Sequence, residues 1–230
     1  MIKKLINNVV QWLGYEILAT GFSKERLRQI GDPQTIIDIG VAEGTAAFYD
    51  AFPDAHLVLV EPLPDLYHEA LTRIQKRPQP VTLLPVAAGA AAAEAIINIE
   101  MNALAKSSLL ERTELTKETA GTQQRTIQIE RLDRLLQEGV FMGPFGVKID
   151  TEGFELNVIK GLTAVLSQID FFIVEVSIAK RFEGSYTFAE FIAYMEEIGF
   201  EVTDMLSFVR ADKVGTRFLD LVFKQKARSG

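Results

Sequence analysis

Five short apolar runs recur along this chain: TIIDIG, HLVLVEP, VTLLPVAAGA, GVKID and IDFFIVEVS. Each is stopped by a glycine, a proline or polar residues, and each has the length and β-branched content of a buried strand. Segments of helical period lie between them. DLYHEALTRIQK puts Leu66, Ala70, Leu71 and Ile74 on one face, and TFAEFIAYMEEIG does the same with Phe188, Phe191, Ile192, Met195 and Ile198. GTAAFYDAF and FELNVIKGLTAVL also read as helices. Strands that alternate with helices must pair in parallel, because each connection crosses back over the sheet, and those crossovers are right-handed. IDFFIVEVS is almost continuously apolar, as a central strand covered on both faces requires.

FEVTDMLSF and TRFLDLVFKQ close the chain as an antiparallel pair. The expected fold is therefore α/β: a Rossmann-like, doubly wound, mostly parallel sheet of about seven strands with an antiparallel C-terminal strand. AEAIINIEM and RTIQIERL break the pattern by alternating apolar and polar residues. They predict an inserted antiparallel strand pair over 94–131. The polar loop joining them, NALAKSSLLERTELTKETAG, has the length of a lid or binding loop. Near the N-terminus, Ile2, Leu5, Ile6, Val9, Leu13 and Ile17 fall at helical spacing. Residues 1–31 read as a helical segment packed on the domain or on a second copy in a homo-oligomer. Residues 32–230 read as a single domain, in keeping with a chain of 230 residues.

Charge and composition narrow the chemistry. A formal charge of -7 without a Lys/Arg cluster does not suit a nucleic-acid-binding surface. The absence of cysteine removes disulfides, thiolate nucleophiles and cysteine-ligated zinc. His56 and His68 are too few for a histidine zinc site. No apolar run reaches the ~20 residues of a membrane span. Lys3 and Lys4 resemble the start of a signal peptide, but Asn7, Asn8, Gln11 and Glu16 interrupt the apolar stretch that should follow. The expected compartment is the cytoplasm.

The turn GVAEG follows the first strand, with Gly40 and Gly44 bracketing it and Asp38 at the strand end. In a doubly wound sheet this is where ligands bind. The turn lacks the lysine of a phosphate loop and the third glycine of a dinucleotide turn, and Glu43 inside it would repel a pyrophosphate. A cofactor without phosphates, such as S-adenosylmethionine, fits better. Glu61 ends the second strand, where an acid can accept hydrogen bonds from ribose hydroxyls.

The segment FGVKIDTEGFELNVIKG concentrates charge at the end of a buried strand, in Lys148, Asp150, Glu152 and Glu155. Such charges are costly unless paired or used. This segment resembles the Lys-Ile-Asp-x-Glu-Gly-x-Glu signature of the FkbM methyltransferases, a family of S-adenosylmethionine-dependent enzymes. Glu61-Pro62, the SSL at Ser107 to Leu109 and the ERLD at 130–133 are similar to that family's other motifs, and the resemblance runs from about Thr35 to Phe223.

The resemblance implies an S-adenosylmethionine pocket. Asp38, Gly40 and Gly44 would shape it around the methionine end, joined by Glu43. Glu61 would hold the ribose, with Pro62, Leu63, Ala87 and Ala88 around the adenine and Asp150 beside the sulfonium end. Two departures stand out: Ala42 replaces the turn's asparagine, and Ala90 replaces an acid near the adenine, with Glu94 its nearest substitute. The implied activity is O-methylation of a sugar or secondary-metabolite hydroxyl.

A hydroxyl acceptor needs a base, for which Asp150, Glu152 and Glu175 are the candidates. Glu175 would otherwise be a buried acid paired with Lys148. The same three carboxylates have the chemistry of a divalent-cation site, without a spacing that requires one. Lys148, Glu155, Ser107, Ser108 and Arg181 are the candidate acceptor-site residues. Two rival readings are a dinucleotide oxidoreductase, to which the missing third glycine and Tyr-x-x-x-Lys pair are unfavourable, and a non-catalytic binding module.

Overall fold

The structure is a computed structural model in which residues 21–114, 122–211 and 215–226 are described. Most of the expected N-terminal helix lies outside the described residues. The rest of that segment carries one short helix, α1 (Lys24–Leu27), capped by the Ser23 side chain.

The expected strands form one seven-stranded sheet. They are β1 (Thr35–Ile39), β2 (His56–Val60), β3 (Val81–Leu84), β7 (Phe145–Ile149), β8 (Ile169–Ser177), β9 (Phe200–Ala211) and β10 (Gly215–Gln225), in spatial order β3-β2-β1-β7-β8-β10-β9. Every pairing from β3 to β8 is parallel, and β10 runs antiparallel to both β8 and β9. The chain winds outward from β1 to β3 on one side and from β7 on the other. The strand order therefore reverses between β1 and β7, which opens a crevice at their carboxyl ends.

The apolar runs are continuous because the sheet is buried on both faces. Ile36, Leu57, Phe171 and Ile173 pack on one side with Phe48 of α2 (Ala46–Ala51). Ile37, Val58, Val147, Phe172 and Val174 pack on the other with Val158 of α5 (Glu155–Lys160) and Phe191 of α6 (Phe188–Glu197). Each fully buried side chain of this size contributes about 1.5–3 kcal/mol relative to exposure. A capping box, in which Thr187 and Glu190 satisfy each other's backbone amides, starts α6.

Two elements differ from expectation. VTLLPVAAGA is not one strand: β3 stops before Pro85, which has no N–H for the ladder, and β4 (Ala87–Ala88) turns away to pair with β6 (Thr122–Glu130). The helix expected over FELNVIKGLTAVL ends at Lys160 and resumes as a 3-10 turn over Thr163–Gln168. At the break, Gly161 lies against the backbone of Gly89, where a Cβ would overlap the Gly89 carbonyl.

The inserted pair forms as expected. β5 (Ala93–Glu100) and β6 are antiparallel, with Asn98 opposite Gln124 and Glu100 opposite Thr122. The loop after β5 folds back through a backbone bridge between Asn98 and Ser108. Two helices complete the layers, α3 (His68–Ile74) after β2 and α4 (Leu132–Glu138) after β6. Among the described residues, no helix is long and apolar enough to cross a membrane.

Candidate functional site

The crevice is built from two turns. The first follows β1, where Gly40 and Gly44 have φ of +80° and +85°, and Ala42 adopts φ of +46°. Positive φ is routine for glycine and strained for alanine. A carboxylate holds the turn in place: Glu61 accepts from the Ala42 amide at 3.1 Å and from the Leu63 amide at 2.9 Å. Gly40 also lies so close to β7 that a Cβ there would overlap the Asp150 carbonyl oxygen. Gly40→Ala should therefore lower stability by at least about 1–3 kcal/mol, from strained φ plus overlap, measurable by urea unfolding. A melting midpoint equal to wild type would refute the close approach.

Asp38 lies beneath this turn, fully buried. It accepts from the Tyr49 hydroxyl at 2.5 Å and faces the Lys148 ammonium at 3.4 Å. The two strands place Asp38 and Lys148 directly opposite each other. Burial alone would lower the Lys148 pKa, but the charges of Asp38 and Asp150 outweigh it and hold the ammonium protonated above its usual range.

The second turn follows β7 and bears most of the sequence's crowded charge. Glu155 folds inward: one oxygen accepts from the Thr151 amide, the Thr151 hydroxyl and the Gly153 amide, and the other accepts from the Tyr186 hydroxyl at 2.6 Å. Glu155 thus shapes the turn from inside. Glu152 has φ of +50°, and Gly153, at φ of +99°, packs under the Phe182 ring. Strain of this kind concentrates where geometry serves a site.

Arg181 anchors the second turn. It is 2 % exposed, lies between the rings of Phe182 and Phe218, and donates to Glu175 at 2.9 Å and to Glu152 at 2.5 Å. Glu175 therefore pairs with Arg181 and not with Lys148, whose partners are Asp38 and Asp150. Arg112 approaches Glu152 from the loop side at 3.6 Å. Facing oxygens of Asp150, Glu152 and Glu175 lie within 4.8 Å of one another, as a cation site needs, but the cation that joins two of them is the Arg181 guanidinium.

Burial, reinforced by Asp150 and Glu155 and opposed by Arg181 and Arg112, pushes the Glu152 carboxyl up to about 7. Burial and the neighbouring carboxylates raise Glu175 well above the usual range. Burial also raises Glu61, against the pull of its two amide donors.

Between the turns lies a cleft of about 600 Å³. Of the expected cofactor residues it brings together Gly40, Glu61, Pro62, Leu63, Ala87, Ala88 and Asp150, with Glu152, Ser107 and Ser108 at the same wall. Asp38, Gly44, Lys148, Glu155, Glu175 and Arg181 stand behind that lining. Glu43 points outward, largely exposed, 3.7 Å from Arg73. Glu94 is on the surface, bonded to Gln128. Tyr67, Ile97 and Phe154 line the cleft without having been picked out in the sequence, because nothing local separates them from core residues. Among the described residues, no lysine, arginine or histidine lines it.

A model of the methyltransferase FkbM domain matches residues 38–202, most of the chain. The chain belongs to the FkbM methyltransferase family. The match includes both turns of this FkbM-family site and the strand-end acids Asp38, Glu61 and Asp150. The hexuronic acid methyltransferase AglP of Haloferax volcanii is 29% identical over 150 residues, which cover 65% of this chain. The chain spans 59% of the length of that relative. Two solved structures are more remote. A Burkholderia thailandensis 1,6-didemethyltoxoflavin-N1-methyltransferase with S-adenosylhomocysteine has a TM-score of 0.49 at 12% identity, over 89% of this chain and 76% of that one. The magnesium protoporphyrin IX methyltransferase of Synechocystis with bound S-adenosylmethionine has a TM-score of 0.48 at 11% identity, over 96% and 78%.

Proposed function

We propose that this chain moves a methyl group from S-adenosylmethionine to a hydroxyl of a small-molecule acceptor of the sugar type, with Glu152 as the base. The observation that carries this reading is the polarity of the cleft. Among the described residues, three acids, Glu61, Asp150 and Glu152, line its wall and no cationic residue does. Such a wall fits a ligand whose polar groups are donors or cations: ribose hydroxyls, an ammonium and a sulfonium. It opposes a pyrophosphate, and so weighs against a dinucleotide.

The fit extends to individual groups. Glu61 accepts one amide bond on each oxygen, and a carboxylate oxygen has a second lone pair free for a ribose hydroxyl. Leu63, Ala87 and Ala88 give the apolar wall an adenine requires, and Asp150 faces the cleft as a counter-charge for the cationic end. Held by Glu61 and Asp150, S-adenosylmethionine would supply the methyl group and leave as the neutral thioether S-adenosylhomocysteine.

The chain's own part is to position the acceptor and take its proton. Glu152 reaches the cleft, and its raised pKa near 7 places it where a base works best at neutral pH. Glu175 does not reach the cleft and is bonded to Arg181, so its role is to hold Arg181. The named activity of AglP supports a sugar acceptor.

Calorimetry with S-adenosylmethionine, S-adenosylhomocysteine and NAD tests the cofactor. Both sulfur ligands should bind, and Glu61→Ala should weaken them at least tenfold, about 1.4 kcal/mol or more. Binding of NAD alone would overturn the reading.

A further inference from the structure

We infer that a polar groove beside the cleft is the acceptor's second subsite, and that it takes a polyhydroxylated carbohydrate rather than an apolar or aromatic alcohol. This rests on the proposed methyl transfer and adds where the rest of the acceptor is held.

The groove follows from the period-two pattern of the inserted hairpin. In AEAIINIE, Ile97 and Ile99 turn into the core, so Asn98 and Glu100 turn to the other face. Pairing with β6 places Gln124 and Thr122 opposite them on that face. The returning loop adds the facing wall, with Ser108 and Arg112. Its place is fixed by the paired backbone bonds of Asn98 and Ser108 at 2.8 and 3.0 Å and by the bond from Arg112 to the Lys106 carbonyl at 2.7 Å.

Three observations join it to methyl transfer. Ser108 lines both the groove and the cleft. Its hydroxyl donates to the Glu152 carbonyl oxygen at 2.6 Å, which ties the groove wall to the turn bearing the base. Arg112 lines the groove while its guanidinium lies 3.6 Å from the Glu152 carboxylate. An acceptor hydroxyl presented to Glu152 therefore has the rest of its molecule directed along the groove.

The lining sets the chemistry of that remainder. Asn98 and Gln124 carry amides that both donate and accept, and they are bonded to each other at 3.0 Å. Thr122 adds a hydroxyl, and Glu100 adds an acceptor. Among the described residues, Leu110 is the sole apolar residue in the lining. Mixed donors and acceptors at close spacing match vicinal hydroxyls, whereas an aromatic or polyketide surface would leave them unpaired on desolvation. The acids Glu100 and Glu111 balance Lys106 and Arg112, so the groove does not demand a charged partner.

The test is binding, read separately from turnover. Methyl glucopyranoside, methyl glucuronoside and benzyl alcohol are titrated by saturation-transfer NMR into the full chain, with and without S-adenosylhomocysteine. The glycosides should bind and benzyl alcohol should not. Asn98→Ala combined with Gln124→Ala should weaken glycoside binding at least tenfold while S-adenosylhomocysteine affinity stays within twofold. Unchanged glycoside binding in the double variant, or binding of the aromatic alcohol alone, overturns the inference. Loss of the sulfur ligand in the wild-type chain would instead overturn the methyl-transfer reading, and the cofactor-free titration still decides the groove.

Discussion

Replacing Glu152 with Gln should lower kcat by about 10²- to 10⁴-fold, the usual contribution of a positioned base. Gln keeps the size of the side chain while removing its ability to take a proton and its charge toward Arg181 and Arg112. Cofactor affinity should change little, since the contacts proposed for the cofactor are those of Glu61 and Asp150. The wild-type rate should also rise with pH through about 7, because the base works only when deprotonated and its carboxyl is pushed up to about 7. That position is set by burial, by the facing Asp150, Glu155 and Glu175, and by the opposing Arg181 and Arg112. The glutamine variant should lose this limb. A variant with wild-type kcat and an unaltered pH profile would remove Glu152 from the role of base.

Removing Arg181 should have the largest effect on stability. Arg181→Met keeps much of the bulk between Phe182 and Phe218 but leaves Glu152 and Glu175 without their shared cation. Breaking a buried pair in this way costs about 3–5 kcal/mol. In a domain of this size that corresponds to a melting point lower by about 6–20 °C. The sign of the pH dependence follows from the carboxyls. Their folded pKa values are already above the unfolded value and rise further without the arginine. A raised acid pKa costs stability as pH climbs above the unfolded pKa, so the variant's deficit should be smallest near pH 4–5 and grow toward neutrality. Adding Glu175→Gln should recover part of the loss. A single variant that melts with the wild type at pH 7 would show that Arg181 does not hold this cluster together.

The sequence determined the sheet by itself. Strand and helix periods are local properties, and alternation of the two leaves few topologies open, so β1, β2, β7 and β8 stand where the apolar runs stand. It also placed the candidate cleft, since parallel strands deliver their carboxyl ends to one edge and bring Gly40, Glu61 and Asp150 together there. One element escaped this local reading: Pro85 was visible in VTLLPVAAGA, yet only the position of β6 shows that the chain leaves the main sheet there.

The tertiary structure decided how the charges divide their work. Lys148 had several acids within reach in the sequence. The register that sets Asp38 opposite it, and the turn after β8 that carries Arg181 to Glu175, select its partners. Glu155 and Glu152 lie three residues apart, yet one is enclosed by the turn it bonds and the other reaches the cleft from a strained backbone. Identical side-chain chemistry became a scaffold at one position and a candidate base at the other. Burial and partner choice are set by contacts between distant strands, and a linear pattern of charges does not encode them.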